Sequence, residues 1–127
     1  MENSLVEDFV FICSPYRPES LDPEDRAAEL RGNIAFAKAA CMEAIHEGYV
    51  PMAPHLYFTQ FLDDDNEEQR EAGIEMGFAW IEDCMELWVI GDRITEGMAA
   101  EIAKATEMNI PVRIKRFDGA NGKEGKG

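Results

Sequence analysis

Glu101 stands in a run of otherwise small and apolar residues, Gly97-Met98-Ala99-Ala100-Glu101-Ile102-Ala103. At helical spacing, positions 97, 98 and 101 share one face. The segment before it, Gly91 to Glu96, leads from an apolar run into that helix. The first-turn N–H groups of such a helix point outward and favour an anion. Glu101 then projects toward whatever the loop holds, and the helix N-terminus helps to keep it ionised. An ionised carboxylate beside a bound sugar acts as a nucleophile or stabilises an oxocarbenium-like centre. The alternative is a surface glutamate, in a chain that has 26 acidic residues. Thr95 either donates its hydroxyl to a ligand or caps the helix. Gly97 either lets a ligand approach the backbone or serves the turn. Neither a P-loop nor a dinucleotide fingerprint is present.

Other candidates gather in two further loops. Arg17, between two prolines in Ser14-Pro15-Tyr16-Arg17-Pro18, either binds phosphate in the bidentate manner of a guanidinium or pairs with a carboxylate. His55 in Ala53-Pro54-His55-Leu56-Tyr57 contacts a sugar or base, or hydrogen-bonds a carbonyl in a packed loop. Tyr16 and Tyr57 stack on a base or belong to the core. Asp92 is placed to hydrogen-bond a base or sugar, and Glu96 points to solvent. Asp63, Asp64 and Asp65 read as a solvated loop, because three consecutive residues do not easily converge on one ion. Cys13 and Cys84 read as buried core, and Trp80, Trp88 and the seven methionines as core-like positions. Nothing here asks for a cofactor or a metal.

Composition narrows the partners. Twelve basic residues against 26 acidic leave a formal charge of −14 over 127 residues. That field repels a phosphate backbone, so neither a nucleic acid polymer nor an anionic membrane is expected as a partner. A small anion remains possible in a locally positive pocket. Three widely spaced cysteines and two histidines form no zinc pattern. The leader MENSLVED lacks an apolar core, and no apolar run reaches the roughly 18 residues of a membrane helix. A cytoplasmic protein with reduced thiols is the expectation.

The elements that must position these residues follow from periodicity. Phe9–Cys13 (FVFIC) is a short apolar run suited to a strand buried on both faces. Asp22 caps a helix with Pro23 at its first position. Its apolar residues at Ala27, Leu30, Ile34, Ala37, Cys41, Ala44 and Ile45 form an amphipathic face, and Gly48 stops it. Tyr49–Met52 is a second strand, set at a sheet edge by Pro51. Ala53–Leu62 lacks clean periodicity. Asn66 with Gln69 resembles a capping box opening a helix to about Cys84. Glu86–Ile90 is the third strand, Gly97–Met108 the third helix and Pro111–Ile114 the last strand. From Asp118 a glycine-rich, charged tail reads as disordered. The order βαβαβαβ predicts one α/β domain over residues 1–117, a three-layer sandwich around a parallel sheet of four strands, or five. Ligands of such sheets bind outside the strand carboxyl ends, where strand order reverses. Those ends carry Ser14–Pro18, Ala53–Thr59 and Gly91–Gly97.

The blocks S-P-Y-R, G-Y-V-P-M-A-P-H, E-L-W-V-I-G and G-M-A-A-E-I-A-K-A together resemble the nucleoside 2-deoxyribosyltransferase-like superfamily, in particular a little-characterised branch of phages and bacteria. The resemblance runs from about Phe9 to Val112. It implies a flavodoxin-like sheet and a homodimer or larger assembly. It further implies that Glu101 is the nucleophile that attacks C1′ of a 2-deoxynucleoside and displaces the base, with transfer of the deoxyribosyl group to another base or to water. Gly97 matches the glycine four residues before that glutamate. Ser14, Pro15, Tyr16 and Arg17 would frame the sugar and any 5′-phosphate, and His55, Asp92, Thr95 and Met98 would complete the substrate site. Ala103 replaces the glycine expected two residues after the nucleophile.

Two functions therefore stand. One is N-glycosidic cleavage or (deoxy)ribosyl transfer on a small nucleoside or nucleotide. The other is a nucleotide-binding or sequestering protein on the same fold, without turnover, in a phage–host setting.

Overall fold

The computed structural model describes residues 8–116. The acidic leader and the glycine-rich tail from Asp118 lie outside the described residues. Four strands, β1 (Phe9–Cys13), β2 (Val50–Met52), β3 (Glu86–Ile90) and β4 (Val112–Lys115), form one sheet in the order β2-β1-β3-β4. Every pairing is parallel. The helices are α1 (Pro23–His46), α2 (Pro54–Tyr57), α3 (Glu67–Ile81) and α4 (Glu96–Glu107), with a 3₁₀ turn at Phe58–Gln60 after α2. The α/β class and the flavodoxin-like three-layer arrangement expected from the sequence are present, with four strands among the described residues. Pro51 stands on β2, at the sheet edge, where its missing N–H costs no ladder bond.

The two central strands are buried on both faces, which is why FVFIC and ELWVI read as continuous apolar runs. Phe11, Cys13, Leu87 and Val89 point to one face and pack with Ile81, Met98 and Ala105 of α3 and α4. Val10, Ile12, Trp88 and Ile90 point to the other and pack with Ala40 and Ala44 of α1. The face that α1 buries is narrower than its apolar pattern suggests. Ala37, Ala40 and Ala44 are buried, whereas Ala27 is exposed and Ile45 is 54% exposed. Small residues let the helix sit close to a sheet whose bulk is supplied by Trp88. The methionines also depart from the core-like reading: Met42, Met76 and Met85 are exposed and Met98 is fully buried.

Caps set where the helices begin. Asp22 accepts from the Asp25 N–H at 3.2 Å with Pro23 in the first turn. Asn66 accepts from the Gln69 N–H at 3.1 Å, but the expected box is not reciprocal. The Gln69 side chain instead accepts from the Asp63 N–H at 2.8 Å, folding the aspartate loop onto α3. The aperiodic stretch after β2 becomes α2 and the 3₁₀ turn, whose Tyr57, Phe58 and Phe61 form an aromatic cluster with Trp80. No helix among the described residues is long and apolar enough to cross a membrane.

Two glycines occupy the left-handed region, and their surroundings differ. Gly48 ends α1 at φ 92° with open space where a Cβ would stand. Gly91 leaves β3 at φ 97°, and a Cβ there would lie 3.1 Å from Cε2 of Phe36 on α1. Gly48→Ala should therefore cost only the left-handed penalty of about 1–2 kcal/mol, and Gly91→Ala roughly 1 kcal/mol more. Urea midpoints of the two variants check this; equal losses would show that the Phe36 ring yields without cost.

Candidate functional site

Chain order places β2 and β3 on opposite sides of β1, so the topological switch lies between β1 and β3. The loops after these strands diverge there and open a solvent-facing cleft of about 730 Å³. Tyr16, Arg17, His55, Thr95, Gly97 and Glu101 all line it, joined by Asp64, Arg70 and Ile74. A pocket of about 370 Å³ beside it shares His55, Asp64, Arg70, Ile74 and Glu101, with Pro54, Phe58 and Leu62 among its walls. Six of the ten residues expected to form the site thus meet in one cleft.

The other four sit elsewhere. Ser14 is 2% exposed and Pro15 is buried, and neither lines the cleft. Asp92 is exposed beyond the end of β3 and does not reach it. Met98 is fully buried behind Glu101 in the core. Thr95 is the N-cap of α4: its Oγ1 accepts from the Met98 N–H at 3.2 Å, and the Met98 sulfur lies 3.5 Å from the Thr95 N–H. The cap is reciprocal, with methionine where glutamate or glutamine is usual. Tyr57 packs into the aromatic cluster and does not line the cleft.

Glu101 is 2% exposed, at the floor of the cleft. It lies six residues after the N-cap, in the second turn of α4, beyond the range at which the helix N-terminus strongly stabilises an anion. Its Oε1 is buried with no hydrogen-bond partner. Its Oε2 lies 3.7 Å from Nε2 of His55, too long for a good hydrogen bond. Burial pushes the carboxyl up to about 8, and the Cys13 side chain opposes this only in part. Burial thus works against the ionised Glu101 expected from the sequence and favours the neutral acid at neutral pH, because desolvation outweighs a distant helix end. Cys13, on β1 beside it, turns its thiol toward the Met98 carbonyl at 3.7 Å. Burial first, then the neighbouring Glu101, pushes that thiol far up, so it is inert as a nucleophile.

His55 is held by its surroundings more than by polar contacts of its ring. Its carbonyl accepts from Thr59 Oγ1 at 2.5 Å, and its imidazole stacks on Tyr16 with centroids 5.5 Å apart and planes at 16°. Burial, and next the positive charge of Arg70, push His55 down to about 4, so it is neutral. Tyr16 is in turn anchored through its carbonyl, which accepts from Asn33 Nδ2 at 2.9 Å. Farther along this loop, Arg26 donates to the carbonyls of Pro18 and Ser20. Arg17 lines the cleft and also lies 4.0 Å from Asp65, so both of its alternatives have geometric support.

Sequence reasoning passed over Arg70 and read Asp64 as part of a solvated loop, whereas Cys13 is buried core as expected and lies beside Glu101. Arg70 stands on α3 one turn before Ile74, on the stripe that continues to Gly77 and Ile81, and that spacing was the available signal. A Cβ at Gly97 would lie 3.9 Å from its Nη2, so the guanidinium reaches the start of α4. Arg70 closes no ion pair among the described residues, although Asp64 lies in its field. Asp64 is half-buried, and burial raises its carboxyl above the usual range. Among the described residues, no group of three or more His, Cys, Asp or Glu is placed to hold a metal.

These groups give stability a signature in pH. Folded Glu101 keeps its proton to about pH 8, whereas its ordinary value is 4.5. Over that window the folded state holds a proton that the unfolded chain has lost, so stability falls as pH rises. His55 acts oppositely: its folded value is about 4 against an ordinary 6.5, so its contribution is lost as pH falls through that window. The two slopes oppose each other between 4.5 and 6.5. From 6.5 to about 8 only the Glu101 slope remains, a loss on the order of 2 kcal/mol. Glu101→Gln should remove this decline in urea denaturation measured across pH 6.5–8. The same decline in both proteins would assign it to other groups.

No curated protein matches the chain. Residues 8–115, nearly the whole described region, match a domain of unknown function, DUF7768. Strands, cleft and Glu101 all fall within the matched residues, and the chain belongs to the DUF7768 family.

Proposed function

We propose that the protein breaks the N-glycosidic bond of a small nucleoside or nucleotide, by hydrolysis or by transfer of the sugar to another base, with Glu101 as nucleophile. The observation that carries this reading is the Glu101 carboxyl itself: almost fully buried, one oxygen without a partner, at the floor of a cleft on the β1/β3 switch point. A buried acceptor left unpaired is costly, commonly about 1–3 kcal/mol, and a ligand atom that meets it recovers that cost. Attack of the carboxylate oxygen on C1′ forms a glycosyl ester. The C1′–N bond breaks, its electron pair leaves with the base, and the base takes up a proton. Water or a second base then opens the ester. Tyr16 stacked on His55 supplies an aromatic wall, while Arg17 and Arg70 give a strongly acidic protein two cations in one cleft. The resemblance of the S-P-Y-R and G-M-A-A-E-I blocks to deoxyribosyltransferase-like proteins supports the same reading.

One observation favours capture without turnover: a glutamic acid that is neutral at pH 7 hydrogen-bonds a ligand well and attacks it poorly. Incubation with pooled deoxynucleosides, nucleoside 5′-monophosphates and NAD-related nucleotides, followed by mass spectrometry of free and bound fractions, separates the two. The expected result is free base or a new nucleoside, with the rate lowered at least about 10³-fold in Glu101→Ala while the fold survives. Intact ligand enriched on the protein makes it a binding module. No conversion and no binding across the panel defeats both.

A further inference from the structure

His55, partly exposed in the cleft, and Glu101, almost fully buried, face each other with Nε2 and Oε2 3.7 Å apart. No other titratable side chain lies between them at that contact. Around the pair, Tyr16 stacks on the imidazole, Cys13 lies beside the carboxyl on β1, and Asp64 and Arg70 face it from α3 and the loop before it. Arg17, Glu19 and Glu96 line the outer cleft. Arg70 is the charge that acts on His55, and it closes no ion pair among the described residues. An unpaired guanidinium in a chain of net charge −14 is an anion site in waiting.

We propose that His55 is the proton acceptor for Glu101, and that an anionic group of the ligand seated on Arg70 triggers the transfer, turning the neutral pair into an imidazolium beside an ionised carboxylate. The proton leaves Oε2 and bonds to Nε2, with no change in net charge. His55 can then release it to the departing base. The inference deepens the glycosidic reading and rests on it for the use made of the carboxylate.

The transfer needs a trigger. Burial holds the Glu101 carboxyl above its ordinary value and the His55 imidazole below its own, so transfer between them is uphill without a further charge. The attraction of the resulting charges across 3.7 Å offsets part of that cost. Burial is the first cause that disfavours the imidazolium and the charge of Arg70 the second; an anion on Arg70 offsets the second, and it acts on His55 more than on Glu101, whose proton affinity is set by burial and Cys13. Binding then decides the protonation state, and the nucleophile is ionised only when a ligand is present to receive it.

Inorganic phosphate is the probe. With ¹⁵N-histidine in the full chain at pH 7, exposed His46 serves as the internal reference and His55 reports the transfer. Phosphate should convert His55 from the two separated ¹⁵N resonances of a neutral ring to the converged pair of an imidazolium, and Arg70→Gln should abolish the change. After correction for the proton exchange of phosphate itself, measured in Arg70→Gln and from its pH dependence, calorimetry in two buffers of different ionisation enthalpy should find close to zero net proton uptake by the protein, because the proton comes from Glu101. In Glu101→Gln, any charging of His55 should draw one proton from solvent. A neutral His55 at saturating phosphate, no phosphate binding, an unchanged response in Arg70→Gln, or uptake of a full proton by the unmutated protein would each overturn the proposal. Base release that persists in any of these cases leaves the glycosidic reading standing. A clean proton transfer without base release on any substrate removes the enzyme while keeping the switch.

Discussion

The constraint on which the site depends is the desolvation of one carboxyl group. Glu101 occupies a place in the core layer between α4 and the sheet where its helical neighbours, Met98 and Ala105, are apolar and fully buried. The scaffold compensates it only in part, through the Cys13 side chain: one oxygen has no partner and the other faces an imidazole at a distance too long to bond well. A folded protein tolerates such a group by protonating it, and the raised affinity for the proton is the measure of the tension. Structural glutamates are rarely buried in this way without a partner, and the proposed ligand contact rests on that exception.

The rest of the molecule brings groups of opposite character to that carboxyl. A parallel sheet in the order β2-β1-β3-β4 can open a crevice only where its neighbours diverge, between β1 and β3. The loop after β1 delivers Tyr16 and Arg17, and α2 after β2 delivers His55. The short connection after β3 starts α4, while α3 crosses the same face to present Arg70. Each contributor is tied down elsewhere: the first loop through Asn33 and Arg26 on α1, α2 through Thr59, and α4 through the Thr95–Met98 cap. Preorganisation of this kind places the cost of ordering the site in folding and not in binding.

Much of this was legible in the chain. FVFIC and ELWVI announced two-sided strands, Pro51 an edge, and Asp22-Pro23 and Thr95 helix starts, because each of those signals acts locally through backbone geometry. The loops that form the cleft followed from strand order, and six of the ten expected site residues line it. What escaped depends on three-dimensional distance. Arg70 is hidden in an acidic run, E-E-Q-R-E, where a cation reads as a solvated helix charge, and only the packing of α3 places it on the cleft. The protonation of Glu101 escaped for a related reason: the helix N-terminus is visible in sequence, but the depth of burial that overrides it is a property of the packed layers. Asp92 misled in the opposite direction, because a residue one step past a strand end is as free to turn outward as inward.

Charge at the level of the whole protein and charge within the cleft answer different questions. A net charge of −14 repels extended polyanions over distances comparable to the Debye length, roughly 8 Å at physiological ionic strength, and so disfavours nucleic acid and anionic membrane surfaces. Within the cleft two cations, Arg17 and Arg70, stand among the acidic side chains of Glu19, Asp64, Glu96 and Glu101, and at short range such local charges matter more than the distant ones. On the proposed reading, the cleft takes a compact anionic group with an aromatic or sugar portion that extends toward Tyr16, His55 and Glu101.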